Sequence, residues 1–152
     1  MVVWSVHWIR RIGNWIPQVL IGSEVVLPEY LKKSKSIVGF ESVPNNLCFW
    51  FCLAKFKNPN QRLDRLSTLA KALFKEYYSK DSDQEYNGLE IEELEHIENH
   101  FDVSVNIYRY TEEKVMLERH SGSLSNKRLN LNIYTNEEGR NHFSLIVNIH
   151  NI

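Results

Sequence analysis

Sulfur is scarce in this chain of 152 residues, which carries two cysteines and two methionines. Cys48 and Cys52 stand four positions apart. That spacing suits neighbours on one helix face and excludes the multi-bridged framework of a small secreted scaffold. A glycine-rich phosphate loop and a CxxC pair are both missing, so neither a phosphate cradle nor a dithiol redox motif is indicated, and no cofactor is expected. No apolar run is long enough to span a bilayer. The opening Val2, Val3, Trp4, Ser5, Val6, His7, Trp8, Ile9 stretch is short, lacks a signal-peptide pattern and runs into Arg10 and Arg11. The expectation is an intracellular protein with no membrane partner. An excess of charge of one sign is also absent. The formal net charge is -1, which argues against a dedicated nucleic-acid binder. The local cluster Lys32, Lys33, Lys35 reads as a solvated turn.

Hydrophobic residues make up 43% of the chain, enough for a core. The pattern suggests an N-terminal arm over residues 1–39 packing on one domain over residues 40–152. Trp4, Trp8 and Trp15, interrupted by Gly13, Pro17, Gly22 and Pro28, suggest strands in the arm, and residues 27–31 a short helical turn with proline near its start. An apolar run from Cys48 reads as a buried helix. Leu63, Leu66, Leu69, Ala70, Leu73 and Tyr77 recur at three- and four-residue steps, predicting an amphipathic helix over residues 61–78. Ile91, Leu94, Ile97 and Phe101 predict another. The period then changes to two: Val103, Val105, Ile107; Leu129, Leu131, Ile133; and Phe143, Leu145, Val147, Ile149 mark half-buried strands, with a weaker one over residues 114–119. Helices first and strands after give an α+β class with helices on a mostly antiparallel sheet.

Cys48 follows the turn-forming pair Asn45 and Asn46 and opens the buried helix. Amide N–H groups and the helix dipole at such a position lower a thiol pKa and favour the nucleophilic thiolate. His142 stands at the mouth of the last strand and is the candidate base, pointing with Ser144 away from the Phe143, Leu145 face. A surface histidine is the plain alternative. Three residues compete to orient His142: Asn45, three positions before Cys48; Ser144, on the same strand face; and Asn141, which should face the other way. The oxyanion would be held by the Cys48 N–H and one from Asn45 or Asn46, with Asn46 suited to positive φ. Cys52 reads as a small core residue. His96 and His100 share one helix face, but Ile97 occupies the place where a zinc hydrolase needs glutamate, so no metal site is expected.

Asn45, Asn46, Leu47, Cys48, Phe49 resembles the Asp-Gly-x-Cys-Leu/Phe signature of the ovarian-tumour (OTU) cysteine proteases, a papain-like clan. Residues 87–91, the Glu-rich helix running into residues 103–108, and the closing His142, Phe143, Ser144, Leu145, Ile146 follow the family's order. The resemblance covers roughly residues 40–150. It implies a papain-like/OTU-like fold, Cys48 as nucleophile, His142 as base, Asn45 as a candidate orienter, and ubiquitin, a ubiquitin-like modifier or a polyprotein as substrate. Residues 27–37 together with residues 45–49 are also similar to a segment in polyproteins of Polinton/Maverick-type transposons and related viruses, which implies a mobile-element, viral or symbiont origin. The chain departs from the family where Asn45 replaces Asp, Asn46 replaces Gly, and Ser144 occupies a place where many members carry Asp or Asn. The alternative expectation is therefore a weak or inactive descendant that binds ubiquitin or another partner.

Overall fold

Strands in the last third of the chain form the platform on which everything else is placed. The structure is a computed structural model that describes residues 6–11, 14–22, 25–40, 43–82 and 85–148. Chain order is β1 (Val6–Arg11), β2 (Asn14–Ile21), α1 (Glu29–Lys32), β3 (Ile37–Val38), α2 (Cys48–Lys57), α3 (Leu63–Tyr78), β4 (Leu89–Glu90), α4 (Leu94–Phe101), β5 (Ser104–Tyr110), β6 (Val115–Arg119), β7 (Arg128–Thr135) and β8 (Asn141–Ile146), with 3-10 turns at Pro44–Asn46 and Ile91–Glu93. The larger sheet runs β3-β8-β7-β5-β6, and the smaller runs β1-β2-β4. Only β5 and β7 pair in parallel within the larger sheet; its other pairs are antiparallel. The class is α+β with a mostly antiparallel sheet. Trp4 and Ile149, both part of the sequence reading, lie outside the described residues.

The α2 helix is apolar around its whole circumference for two turns, and residues 48–54 are all buried. A helix of that kind has to be enclosed on every side. It lies between α3 and β8. Trp50 is its anchor: the ring is fully buried, lies edge-on to Phe49, Phe74, Tyr78 and Phe101, and donates its indole N–H to Tyr86 Oη at 3.1 Å. The α3 helix presents Leu66, Ala70 and Phe74 to this cluster. Leu63, counted in the apolar stripe by its spacing, is instead 59% exposed at the first helical position, and the stripe centres on Phe74.

The last strand departs further from the half-buried pattern. All six residues of β8 are buried. Phe143 and Leu145 face the cluster under α2, while Ile146 joins Val25, Leu27, Leu31 and Ile37. Residues 25–37 thus cover the Ile146 end of the face that alternation alone would leave wet. The strand stops at Ile146, and Val147 turns out to 52% exposure.

Glu98 ties α4 to the sheet. Its buried carboxylate accepts the Val105 N–H at 2.8 Å, the Arg119 guanidinium at 2.9 Å and the Ser121 hydroxyl. Arg119 also donates to Val105 O at 2.6 Å. Burial works to raise the Glu98 pKa, but the Arg119, Ser121 and Val105 donors outweigh it and hold the carboxyl below its ordinary value.

Two outcomes are expected. Trp50→Ala should lower unfolding stability in urea by about 3–5 kcal/mol, through lost burial and a cavity that α2 and α3 cannot close. Because Glu98 is depressed in the folded state, its contribution is present above the unfolded glutamate pKa of about 4.3 and is lost as pH falls through the folded value. The urea midpoint should therefore drop as pH is lowered through that range, and Glu98→Gln should flatten the drop while lowering stability at pH 7.

Candidate functional site

The turn before Cys48 is built by backbone geometry few residues accept. Asn45 and Asn46 take φ of 55° and 61°, consecutive left-handed residues, and asparagine tolerates that region better than other side-chain-bearing residues. Asn46 is fixed further by donating Nδ2 to Tyr86 O at 2.9 Å. Leu47 N–H bonds to Pro44 O at 3.2 Å, and Cys48 then begins α2. Positive φ was expected at Asn46; Asn45 shares it.

Partners along one edge of β8 set the geometry. The peptide groups of its odd-numbered residues turn away from β7. Asn141 O accepts the Gly22 N–H at 3.1 Å. Phe143 N–H donates to Cys48 Sγ at 3.4 Å, and Cys52 Sγ donates to Phe143 O at 3.7 Å. Leu145 lies opposite Val38, and Val147 N–H reaches Ser36 O at 2.8 Å. Two thiols one helical turn apart therefore stand in for the strand that β3, two residues long, is too short to supply. Cys48 Sγ sits against the peptide group that joins His142 to Phe143, 95 residues away in sequence.

The electrostatics differ from the expectation of a depressed thiol. Burial pushes the Cys48 thiol up to about 12, although N–H groups of Phe143, Phe49 and Cys48 itself work to lower it. The Cys48 and Phe49 donors are those a helix start provides and the Phe143 donor comes from β8, but full enclosure in apolar surroundings costs the thiolate more than the three return. Cys52, equally enclosed, is raised well above its ordinary value by burial and by the neighbouring Cys48.

His142 lies fully buried on β8, opposite Tyr134 on β7. It is not a surface histidine. Asn45 is half-buried in the turn before Cys48. Asn141 is engaged elsewhere, its Oδ1 accepting Thr135 Oγ1 at 2.6 Å and its Nδ2 donating to Leu20 O at 3.3 Å. Its role is to hold the end of β2. Ser144 is fully buried on the His142 face, opposite Asn132. Among the described residues, Ser144 Oγ and Asn132 Nδ2 have no hydrogen-bond partner. Asn132 Oδ1 is held by the Tyr110 N–H at 2.8 Å, which fixes the amide's orientation. The sequence pattern gives neither Asn132 nor Gly22 a place at this site: Asn132 sits with Asn130 on the polar side of an alternating strand, and Gly22 reads only as a strand break.

His100 bonds to Glu76 at 2.9 Å, and among the described residues no group of three or more His, Cys, Asp or Glu side chains is arranged to hold a metal. No helix among the described residues is long and apolar enough to cross a membrane. Comparisons with protein-family models, curated proteins and solved structures found no match to this chain.

The raised thiol predicts a pH signature. Alkylation of Cys48 by iodoacetamide should be slow at pH 8 and keep rising with pH beyond 10, where an exposed cysteine of pKa about 8.5 has already levelled. A plateau below pH 8 would contradict the enclosed, neutral thiol.

Proposed function

We propose that this chain is a cysteine-type peptidase of papain-like, OTU-like layout that hydrolyses peptide or isopeptide bonds, with ubiquitin or a ubiquitin-like modifier as the acyl partner. One observation carries the reading: Cys48 Sγ, on the first residue of a buried helix, is bonded to the N–H that directly follows His142. Nucleophile and base thus come from the two elements that thiol hydrolysis needs, with the helix start aimed at the strand.

In this reading Cys48 Sγ passes its proton to His142 and attacks the carbonyl carbon. The tetrahedral oxyanion is stabilised by the Cys48 N–H and an N–H of the Asn45, Asn46 turn. His142 protonates the departing amine, leaving a thioester. It then takes a proton from water, which attacks the thioester and regenerates the thiol. Asn45 and Ser144 are the candidates for orienting the imidazole. The neutral, enclosed Cys48 is the resting form, and substrate engagement has to open it to water before proton transfer favours the ion pair.

The same enclosure motivates a second reading. A thiol with no exposed surface and a pKa near 12, behind a turn in which Asn45 and Asn46 replace the family's Asp and Gly, suits a module that binds ubiquitin or a polymerase-associated partner without hydrolysis.

Ubiquitin carrying a C-terminal electrophile, and a fluorogenic ubiquitin conjugate, separate the two. Hydrolysis predicts labelling at Cys48 and turnover that falls by about 10⁴-fold in Cys48→Ala and in His142→Ala. Binding of ubiquitin without labelling or turnover supports the module. Turnover that survives Cys48→Ala removes the peptidase mechanism.

A further inference from the structure

The position next to Cys48 on the free edge of β8 is filled by the chain itself. Gly22 N–H donates to Asn141 O at 3.1 Å, and Asn141 Nδ2 donates back to Leu20 O at 3.3 Å. On the opposite side, a Cβ at Gly22 would lie 2.4 Å from Asn46 O and 3.0 Å from Asn46 Cβ, so this segment runs in backbone contact with the turn preceding Cys48. Gly88, at φ 112°, closes a third side, where a Cβ would lie 2.7 Å from Ile21 O. Asn141 O and Phe143 N are successive outward groups of one strand. Gly22 and Cys48 Sγ therefore occupy adjacent places along it. Ile21, 1% exposed, belongs to the same apolar cluster as Cys48. An extended backbone paired to a sheet edge beside a nucleophile is the pose that strand addition would give a peptide substrate.

We propose that residues 20–22 are an intramolecular strap occupying the peptide cleft beside Cys48, and that the thiol becomes reactive when the strap withdraws. The use of that cleft for a peptide substrate rests on the peptidase reading; the placement of the strap beside Cys48 rests on its contacts with Asn141 and Asn46 and on the core cluster that Ile21 shares with Cys48. Among the described residues, the hydrogen bonds that hold the strap are the two to Asn141 and those of a two-residue ladder, Leu20 opposite Glu90 and Ile21 opposite Leu89, beside the core packing of the Ile21 side chain. A unit held so locally can open while the five-stranded sheet stays intact.

Iodoacetamide alkylation of the full chain at pH 8, read separately for the peptides bearing Cys48 and Cys52, tests this. Cys52 is equally buried and reports general loosening. Asn141→Ala removes the side-chain tie to Leu20 and should raise Cys48 alkylation by about tenfold or more while Cys52 stays at its wild-type rate. In that background, Leu20→Cys combined with Glu90→Cys should restore the slow Cys48 rate when oxidised and release it again in dithiothreitol. A parallel rise at both cysteines, or a Cys48 rate in Asn141→Ala equal to wild type, overturns the strap. Selective opening of Cys48 in a protein that a ubiquitin electrophile still fails to label upholds the strap and removes the peptidase reading.

Discussion

A strand with a neighbour on one side only leaves every second peptide group on the other side in need of a partner, and when the strand is buried water cannot supply it. That is the condition of β8. β7 pairs with Asn141 through Leu145 on one edge, while β3 reaches only Leu145 and Ile146 on the other. The remaining outward groups, at Asn141 and Phe143, are met by a glycine N–H and two thiols. The placement of α2 follows from this requirement. Its first and fifth residues must touch the Phe143 peptide, so they are small and able to bond through sulfur, and the helix start must lie at the strand's beginning. The tight Asn45, Asn46 turn exists to bring the chain into α2 at that point.

The aromatic cluster and the Glu98 hub hold this junction from two directions. Trp50 fixes the orientation of α2 through rings contributed by α3 and α4, and its bond to Tyr86 continues through Asn46 Nδ2 to the turn before Cys48. Glu98 secures α4 to β5 and to the Arg119 end of β6. The Cys48 environment is thus supported by parts of the chain that carry no reactive group.

Much of the architecture was legible because its signals are local. The all-apolar helix from Cys48, the amphipathic α3 and the alternation in β5 and β7 each report a periodicity that a neighbouring surface enforces. The errors arose where a distant segment decides the outcome. Alternation in β8 implied one wet face, yet His142 and Ser144 on that face are buried, and Ile146 beside them packs on Val25, Leu27, Leu31 and Ile37. Leucine spacing gave Leu63 to the core and overlooked Phe74, because a residue at the first helical position lies beyond the reach of the cluster. The Cys48 and Phe49 amide donors were legible in the helix-start position of Cys48, but the Phe143 donor and the surroundings that set the sign of its pKa shift were not, since they come from β8 and from the core packed around α2. The bonds of Asn141 to Thr135 and Leu20 join segments that no local pattern connects.

The separation between Cys48 and the strand that completes its surroundings also bears on how the protein is made. A ribosome releases the helix bearing both thiols long before β8, and domains fold as their chain emerges. Until Phe143 arrives, 95 residues later, Sγ of Cys48 lacks its amide donor and α2 lacks the strand on which it chiefly packs. The nascent polypeptide therefore carries two uncommitted sulfhydryls until β8 has been made, and their sequestration waits on that strand.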